Sequence, residues 1–104
     1  MRNQTKFHLE QLQKTMQSLN LWQTMPPVQE AFLSEQPFFL DTMEPHEWLQ
    51  WVFIPRMRAL LESDAPLPSQ IAISPYLEEM LKEFDDLERL LAPLLALEEL
   101  LQNQ

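Results

Sequence analysis

The sequence predicts an all-α fold, a compact bundle of about four helices, on three observations. Glycine is absent from all 104 residues, and with it the Asn-Gly hairpin turn that antiparallel sheets favour. Apolar residues recur at spacings of three and four through much of the chain, the period of a helix with one buried face. Nine prolines supply the punctuation, because each one ends or bends a helix that tries to run through it.

Residues 3–22 predict the first helix. Leu9, Leu12, Met16 and Leu19 fall on one stripe, with Phe7 and Trp22 near its ends. Asn20 helps to end it, and Pro26-Pro27 forbids continuation. Pro27 can open a short second helix as its first residue, whose apolar side is Val28, Ala31, Phe32 and Leu33. Pro37 closes it, and Phe38, Phe39 and Leu40 are expected as an extended apolar clamp.

The third helix is expected over 43–62. Thr42 is a good N-cap, with Asp41 as the rival. Glu44 and Glu47 lie in the first turn, where the helix dipole favours acids, and Pro45 is tolerated there. Trp48, Val52, Pro55 and Ala59 form one ridge; Leu49, Phe53, Met57 and Leu60 form a second. Pro55 deletes its bond to the Trp51 carbonyl and predicts a kink, at a cost of ~3 kcal/mol if uncompensated.

Residues 63–74 read as a connector pinned by Leu67, Ile71 and Ile73. Ser74-Pro75 then starts the fourth helix, with Ser as N-cap and Pro as first residue. Leu77, Met80, Phe84, Leu87, Leu91 and Leu94 step along it as a short heptad seam. Pro93 predicts a kink or split near Arg89. From 87 to 101, eight of fifteen residues are leucine, more than the single stripe a surface helix needs. That surplus predicts a helix covered on several sides, by this chain or by another. Leu87, Leu91, Leu94, Leu95 and Leu101 are the expected face for self-association.

Composition limits the function. The length suits one domain, residues 1–104. The apolar fraction of 45% fits a globular chain. The longest apolar run, Leu90 to Leu97 with Pro93 inside it, is far shorter than the ~20 residues of a membrane helix. The polar N-terminus lacks a signal-peptide core, so a soluble, cytoplasmic protein is expected. The absence of cysteine excludes disulfides, thiolate zinc sites and cysteine nucleophiles. The absence of glycine excludes P-loops and dinucleotide fingerprints. The net charge of −9 opposes direct contact with nucleic acid or an anionic membrane surface. A protein partner, or a second copy in a homodimer, is compatible with it. Acids concentrate in 76–101, where Glu78, Glu79, Glu83, Asp85, Asp86, Glu88, Glu98 and Glu99 face only Lys82 and Arg89. Their simplest role is to keep one helix face solvated.

No constellation assembles catalytic chemistry. Asp41, Glu44, His46 and Glu47 cluster at a helix start, but His-Glu-x-x-His is absent, and the acids suit the helix dipole. No metal site or cofactor is expected. Arg56 is the residue that invites a second reading. It follows Pro55 within an apolar helix and can pair with an acid of the fold, stack on a ring, or clamp the carboxylate or phosphate of a ligand. Trp48 and Trp51 diverge on the helix, so one is expected in the core and the other on a contact surface. Phe38, Asp41, Trp48, Trp51, Arg56 and Tyr76 are the candidate contact or ligand surface.

Two blocks carry a resemblance. Gln36-Pro-Phe-Phe-Leu-Asp-Thr-Met-Glu-Pro-His-Glu-Trp-Leu-Gln-Trp-Val-Phe-Ile-Pro-Arg-Met57 and Pro66-Leu-Pro-Ser-Gln-Ile-Ala-Ile-Ser-Pro-Tyr-Leu-Glu-Glu79 resemble the YqcC-like family of small bacterial proteins of unknown function. Together they span about a third of the chain. The resemblance implies an all-helical fold. It also implies a link to transfer-RNA modification, because genes of this family often lie beside one for a transfer-RNA pseudouridine synthase. It supplies no catalytic residues. The resulting expectation is a non-enzymatic interaction module that self-associates or docks a partner through its leucine-rich last helix. The alternative is a small-ligand binder with a pocket near Arg56 and Tyr76.

Overall fold

A computed structural model of the chain describes residues 2–103. Among these residues the regular structure is helical throughout. Helix α1 spans Arg2–Ser18 and buries Thr5, Leu9, Leu12 and Met16, one stripe at helical spacing. It ends four residues before the expected position. Asn20 adopts a left-handed backbone (φ 62°). The Leu21 N–H then donates to the Met16 carbonyl at 2.9 Å, and the Asn20 N–H to the Gln17 carbonyl at 3.2 Å. These are the two bonds of a Schellman cap. Asp64 (φ 57°) closes the third helical segment similarly, with the Ala65 N–H donating to the Leu60 carbonyl at 3.1 Å. Without glycine, the chain uses the residues that tolerate positive φ next best.

The segment after Pro27 is less helical than its apolar pattern predicts. It forms one five-residue 3-10 turn, Gln29–Leu33, preceded by Val28 rather than Pro27 and burying only Ala31. The expected extended clamp at Phe38, Phe39 and Leu40 is instead a second 3-10 turn, Pro37–Phe39. Phe38 and Phe39 are both left-handed there (φ 58° and 48°).

Residues 45–62 form a continuous helical rod of three parts: α2 (Pro45–Trp48), a π-turn (Leu49–Phe53) and α3 (Ile54–Glu62). Glu44, not Thr42 or Asp41, is the N-cap. Glu47 reaches back to accept the Glu44 N–H at 2.8 Å, half of a capping box. The Thr42 hydroxyl is engaged elsewhere, donating to the Ala31 carbonyl at 2.7 Å. The π-turn answers the problem posed by Pro55. The Ile54 N–H bonds to the Leu49 carbonyl, so the ladder widens just before the residue that lacks an N–H. Pro55 then occupies the first turn of α3, where its missing donor costs little. The extra residue also rotates everything after it. Ile54 and Met57 turn inward, whereas Pro55 and Ala59 are exposed. The ridge drawn from Trp48 through Ala59 therefore fails at the π-turn.

The single fourth helix expected from Pro75 is two helices. α4 (Ser74–Met80) and α5 (Leu87–Gln102) are separated by turns, with Phe84 and Leu87 N–H groups donating back to Leu81 and Phe84 carbonyls. The break falls upstream of Pro93, which lies inside a continuous α5. The heptad seam is lost with it: Leu77, Leu91 and Leu94 are buried, but Met80 is 46% exposed. Breaking here lets α5 pack on both α1 and α4.

The core joins Leu9, Leu12 and Met16 of α1 to Leu49, Ile54 and Met57 of the rod and to Leu77, Leu90, Leu94, Leu97 and Leu101. This corrects the expected oligomer face. Leu94 and Leu101 are fully enclosed by the chain's own helices, Leu91 is buried and Leu87 half-buried, leaving only Leu95 exposed. The leucine surplus is absorbed because α5 is central to the fold, touched from two sides. The Cα radius of gyration is 13.4 Å, close to the ~13 Å of a compact chain this long. Among the described residues no helix is long and apolar enough to cross a membrane.

Candidate functional site

The left-handed pair Phe38-Phe39 places two rings against the rod. Phe38 meets Trp48 edge-to-face at 5.0 Å and stacks flat on Tyr76 at 4.1 Å. Trp48, 8% exposed, continues the series to Phe53 at 5.7 Å. Phe39 faces the guanidinium of Arg56, 6.0 Å from its ring centre. Such contacts add about 0.5–1.5 kcal/mol each beyond burial. The knot thus links the 3-10 turn, the rod and α4 through side chains distant in sequence.

A cavity of about 270 Å3 opens beside the knot. Trp48, Phe53, Arg56 and Met57 of the rod line it together with Ile71 and Ile73 of the connector. Four of the six expected site residues therefore converge: Phe38, Trp48 and Arg56 on the cavity, and Tyr76 directly behind Phe38. The Tyr76 hydroxyl is buried with no hydrogen-bond partner. Burial, and secondarily the negative charge of Glu44, push its pKa above the ordinary 10.0.

Asp41 and Trp51 lie apart from this group. Asp41 is exposed and accepts a hydrogen bond from the Ser34 hydroxyl. The Trp51 indole N–H donates to Gln23 Oε1 at 2.9 Å. Gln23 is also held through its backbone: its N–H donates to Gln50 Oε1 and its carbonyl accepts from Gln50 Nε2, both at 2.7 Å. Gln50 is buried, so this reciprocal pair satisfies polar groups on both sides.

Two further ties escaped the sequence reading. The Arg2 guanidinium donates to the carbonyls of Leu60 at 2.7 Å, Leu61 at 3.2 Å and Ala65 at 2.9 Å, placing a cation on the C-terminal end of α3. Glu98 does the converse for α4. Its Oε2 accepts the N–H groups of Ile73 at 2.7 Å and Ser74 at 2.9 Å, and its Oε1 accepts the Ser74 hydroxyl at 2.6 Å. Ser74 is thus the first helical residue, and Ile73 holds the cap position. Among the described residues no group of three or more His, Asp or Glu is placed to hold a metal ion.

A run of exposed apolar side chains lies elsewhere. Met25 (77%), Val28 (71%), Leu33 (74%) and Leu40 (49%) fall within sixteen residues, in and around the two 3-10 turns. Glu30, Glu35 and Asp41 are exposed among them. There is no lysine or arginine between Lys14 and Arg56, whereas five acids lie there. That charge run is visible in the sequence, but the exposure of its apolar residues is not, because their spacing puts Val28 and Leu33 with Ala31 on the apolar side of a short helix.

Comparison with known proteins agrees with this architecture. The model of the DUF446 family, described as tRNA pseudouridine synthase C, matches residues 4–100. An uncharacterised protein of Haemophilus influenzae is 73% identical over 103 residues, covering 99% of this chain and 97% of its own. A protein named tRNA pseudouridine synthase C from Pectobacterium carotovorum is 52% identical over 66 residues, but the match covers 64% of this chain and only 18% of that protein. The solution NMR structure of YqcC from Escherichia coli superposes with a TM-score of 0.85 at 40% identity, over 96% of this chain and 86% of that one. The chain belongs to the YqcC-like family and has its all-helical fold.

Proposed function

We propose that this chain is a non-enzymatic interaction module that works with a tRNA pseudouridine synthase through protein–protein contact. The observation that carries it is the uneven match to the Pectobacterium protein: a segment like this one occupies 18% of a chain bearing the synthase name. A segment covalently joined to an enzyme in one organism and separate in another is well suited to contact it, since a tether only raises an effective concentration that affinity must otherwise supply. The remaining length of that relative is where synthase chemistry has room to reside. The net charge of −9 argues that the module meets the enzyme rather than the tRNA, because phosphate contacts need clustered Lys and Arg. It would act in the cytoplasm, where its partner's substrate is.

The docking surface is the exposed segment of Met25, Val28, Leu33 and Leu40, in which Glu30, Glu35 and Asp41 are exposed as well. Exposed apolar side chains interspersed with charge suit recognition of a partner. A partner that handles RNA carries the complementary basic surface. The leucines of α5, Leu95 excepted, are wholly or partly taken up by the core. The test is calorimetric titration of this chain with the pseudouridine synthase of the same cell. A saturable complex is expected, weakened at least tenfold by Val28→Asp with Leu33→Asp at unchanged melting temperature. Absence of heat and of a co-sedimenting complex removes the proposal, and sedimentation of the chain alone distinguishes a homodimer.

A further inference from the structure

The cavity beside Arg56 is a different feature from the docking segment and takes a different kind of guest. Of three cavities among the described residues, it is the one whose guanidinium, that of Arg56, is hydrogen-bonded neither to the backbone nor to another side chain. In the cavity beside α1, Arg2 is bonded to three carbonyls and Arg58 donates to Gln13, while Glu10, Glu62 and Asp64 outweigh Lys6. In the groove between α1 and α5, Arg89 already donates to Ser18 and pairs with Asp86.

Two local departures from regular backbone converge on the third cavity. Phe38 and Phe39 are both left-handed, an unfavourable state for an aromatic L-residue that persists only where the surroundings enforce it. Phe38 lines the cavity and Phe39 stands against its cation. The π-turn over Leu49–Phe53 brings both Phe53 and, beyond it, Met57 to the cavity lining. Such turns recur at functional sites. The result is an apolar lining with a single charged group, the exposed guanidinium of Arg56. On a chain of net charge −9, a lone cation lining an apolar cavity selects one guest chemistry.

We propose that this cavity binds a small apolar monocarboxylate, its hydrocarbon body between Trp48, Phe53, Ile71 and Ile73 and its carboxylate on Arg56. The planar guanidinium presents paired N–H donors that match a carboxylate. Among the described residues it makes no hydrogen bond, and its contact with the Phe39 ring at 6.0 Å uses none of those donors. A volume of about 270 Å3 lies at the small end of ligand sites, which suits a monoacid of medium chain length.

The test uses octanoate, with octylamine as the cationic counterpart of equal length. Amide resonances are followed during titration of the whole chain. Octanoate is expected to shift the signals of Phe53, Arg56, Ile71 and Ile73 in a saturable manner, and octylamine is not. Arg56→Gln, at an exposed position, is expected to weaken octanoate about tenfold with the helical fold retained, and Arg56→Lys less than that. The proposal fails if octanoate gives no saturable shifts at millimolar concentration, if octylamine binds equally, or if Arg56→Gln binds as the natural chain does.

Discussion

Glu98 shows how one side chain can decide a local structure. In the sequence it belongs to an acidic stretch that suits a solvated face. In the fold it lies half-buried and gives both carboxylate oxygens to the start of α4. A seven-residue helix is too short to stand alone, so its first turn depends on that carboxylate. Glu98→Gln keeps the shape and removes the charge. It should cost about 1–3 kcal/mol, the range for hydrogen bonds to a charged group, read as a lower urea midpoint at unchanged slope. An unchanged midpoint would show that α4 is held by packing alone. Tyr76 is the opposite case. Its hydroxyl is buried without a partner, so Tyr76→Phe should leave stability unchanged or raised at neutral pH. Burial lifts the folded pKa above 10.0, so the unfolded phenol ionises first. Below pH 10 this group has no effect; above it the unfolded state gains, and stability falls until the folded pKa is passed. Tyr76→Phe should flatten that alkaline decline in thermal melts at pH 9 to 11. An equal decline in both proteins would place its cause in another group.

At the scale of elements, the stripe of Leu9, Leu12 and Met16 made α1 legible, because a helix period needs only local sequence. The aromatic block 36–57 was likewise legible as a specified shape. What it could not disclose was how the chain handles Pro55. A kink and a π-turn both accommodate a missing N–H, and the choice depends on whether Ile54 and Met57 or Pro55 and Ala59 face the core. The break between α4 and α5 was hidden for the same reason. Its helical continuity looked sound locally, and the gain from folding α5 back onto α1 is a tertiary one. Glu98 and Arg2 cap helices distant in sequence, for which no spacing rule exists. Of the candidate site, Phe38, Trp48, Arg56 and Tyr76 were identifiable as bulky or charged residues in one block. Ile71 and Ile73 reach the cavity only because the connector folds over it. If the π-turn absorbs the proline, Pro55→Ala should change stability by less than about 1 kcal/mol, against the ~3 kcal/mol gain expected for a proline removed from an ordinary helix interior. Guanidinium unfolding of both proteins distinguishes these outcomes.

For the molecule as a whole, the decisive fact is where the leucines went. Composition counted a surplus on the last helix; the fold spends that surplus on a core in which α5 is central. Leu94→Glu therefore should not yield a folded monomer. It buries a charge at a fully enclosed position of the core, at a cost comparable to the 5–15 kcal/mol stability of a typical domain. Circular dichroism should show loss of helix at 37 °C, and a folded protein would contradict the assignment of Leu94 to the core. The exposed apolar set is thereby shifted to Met25, Val28, Leu33 and Leu40, and with it the surface available to a partner. Hydrogen exchange of this chain alone and with the pseudouridine synthase tests that placement most directly. Slowed exchange confined mainly to residues 25–40 is the result this account predicts. Protection centred on α5, or none anywhere at saturating synthase, would contradict it.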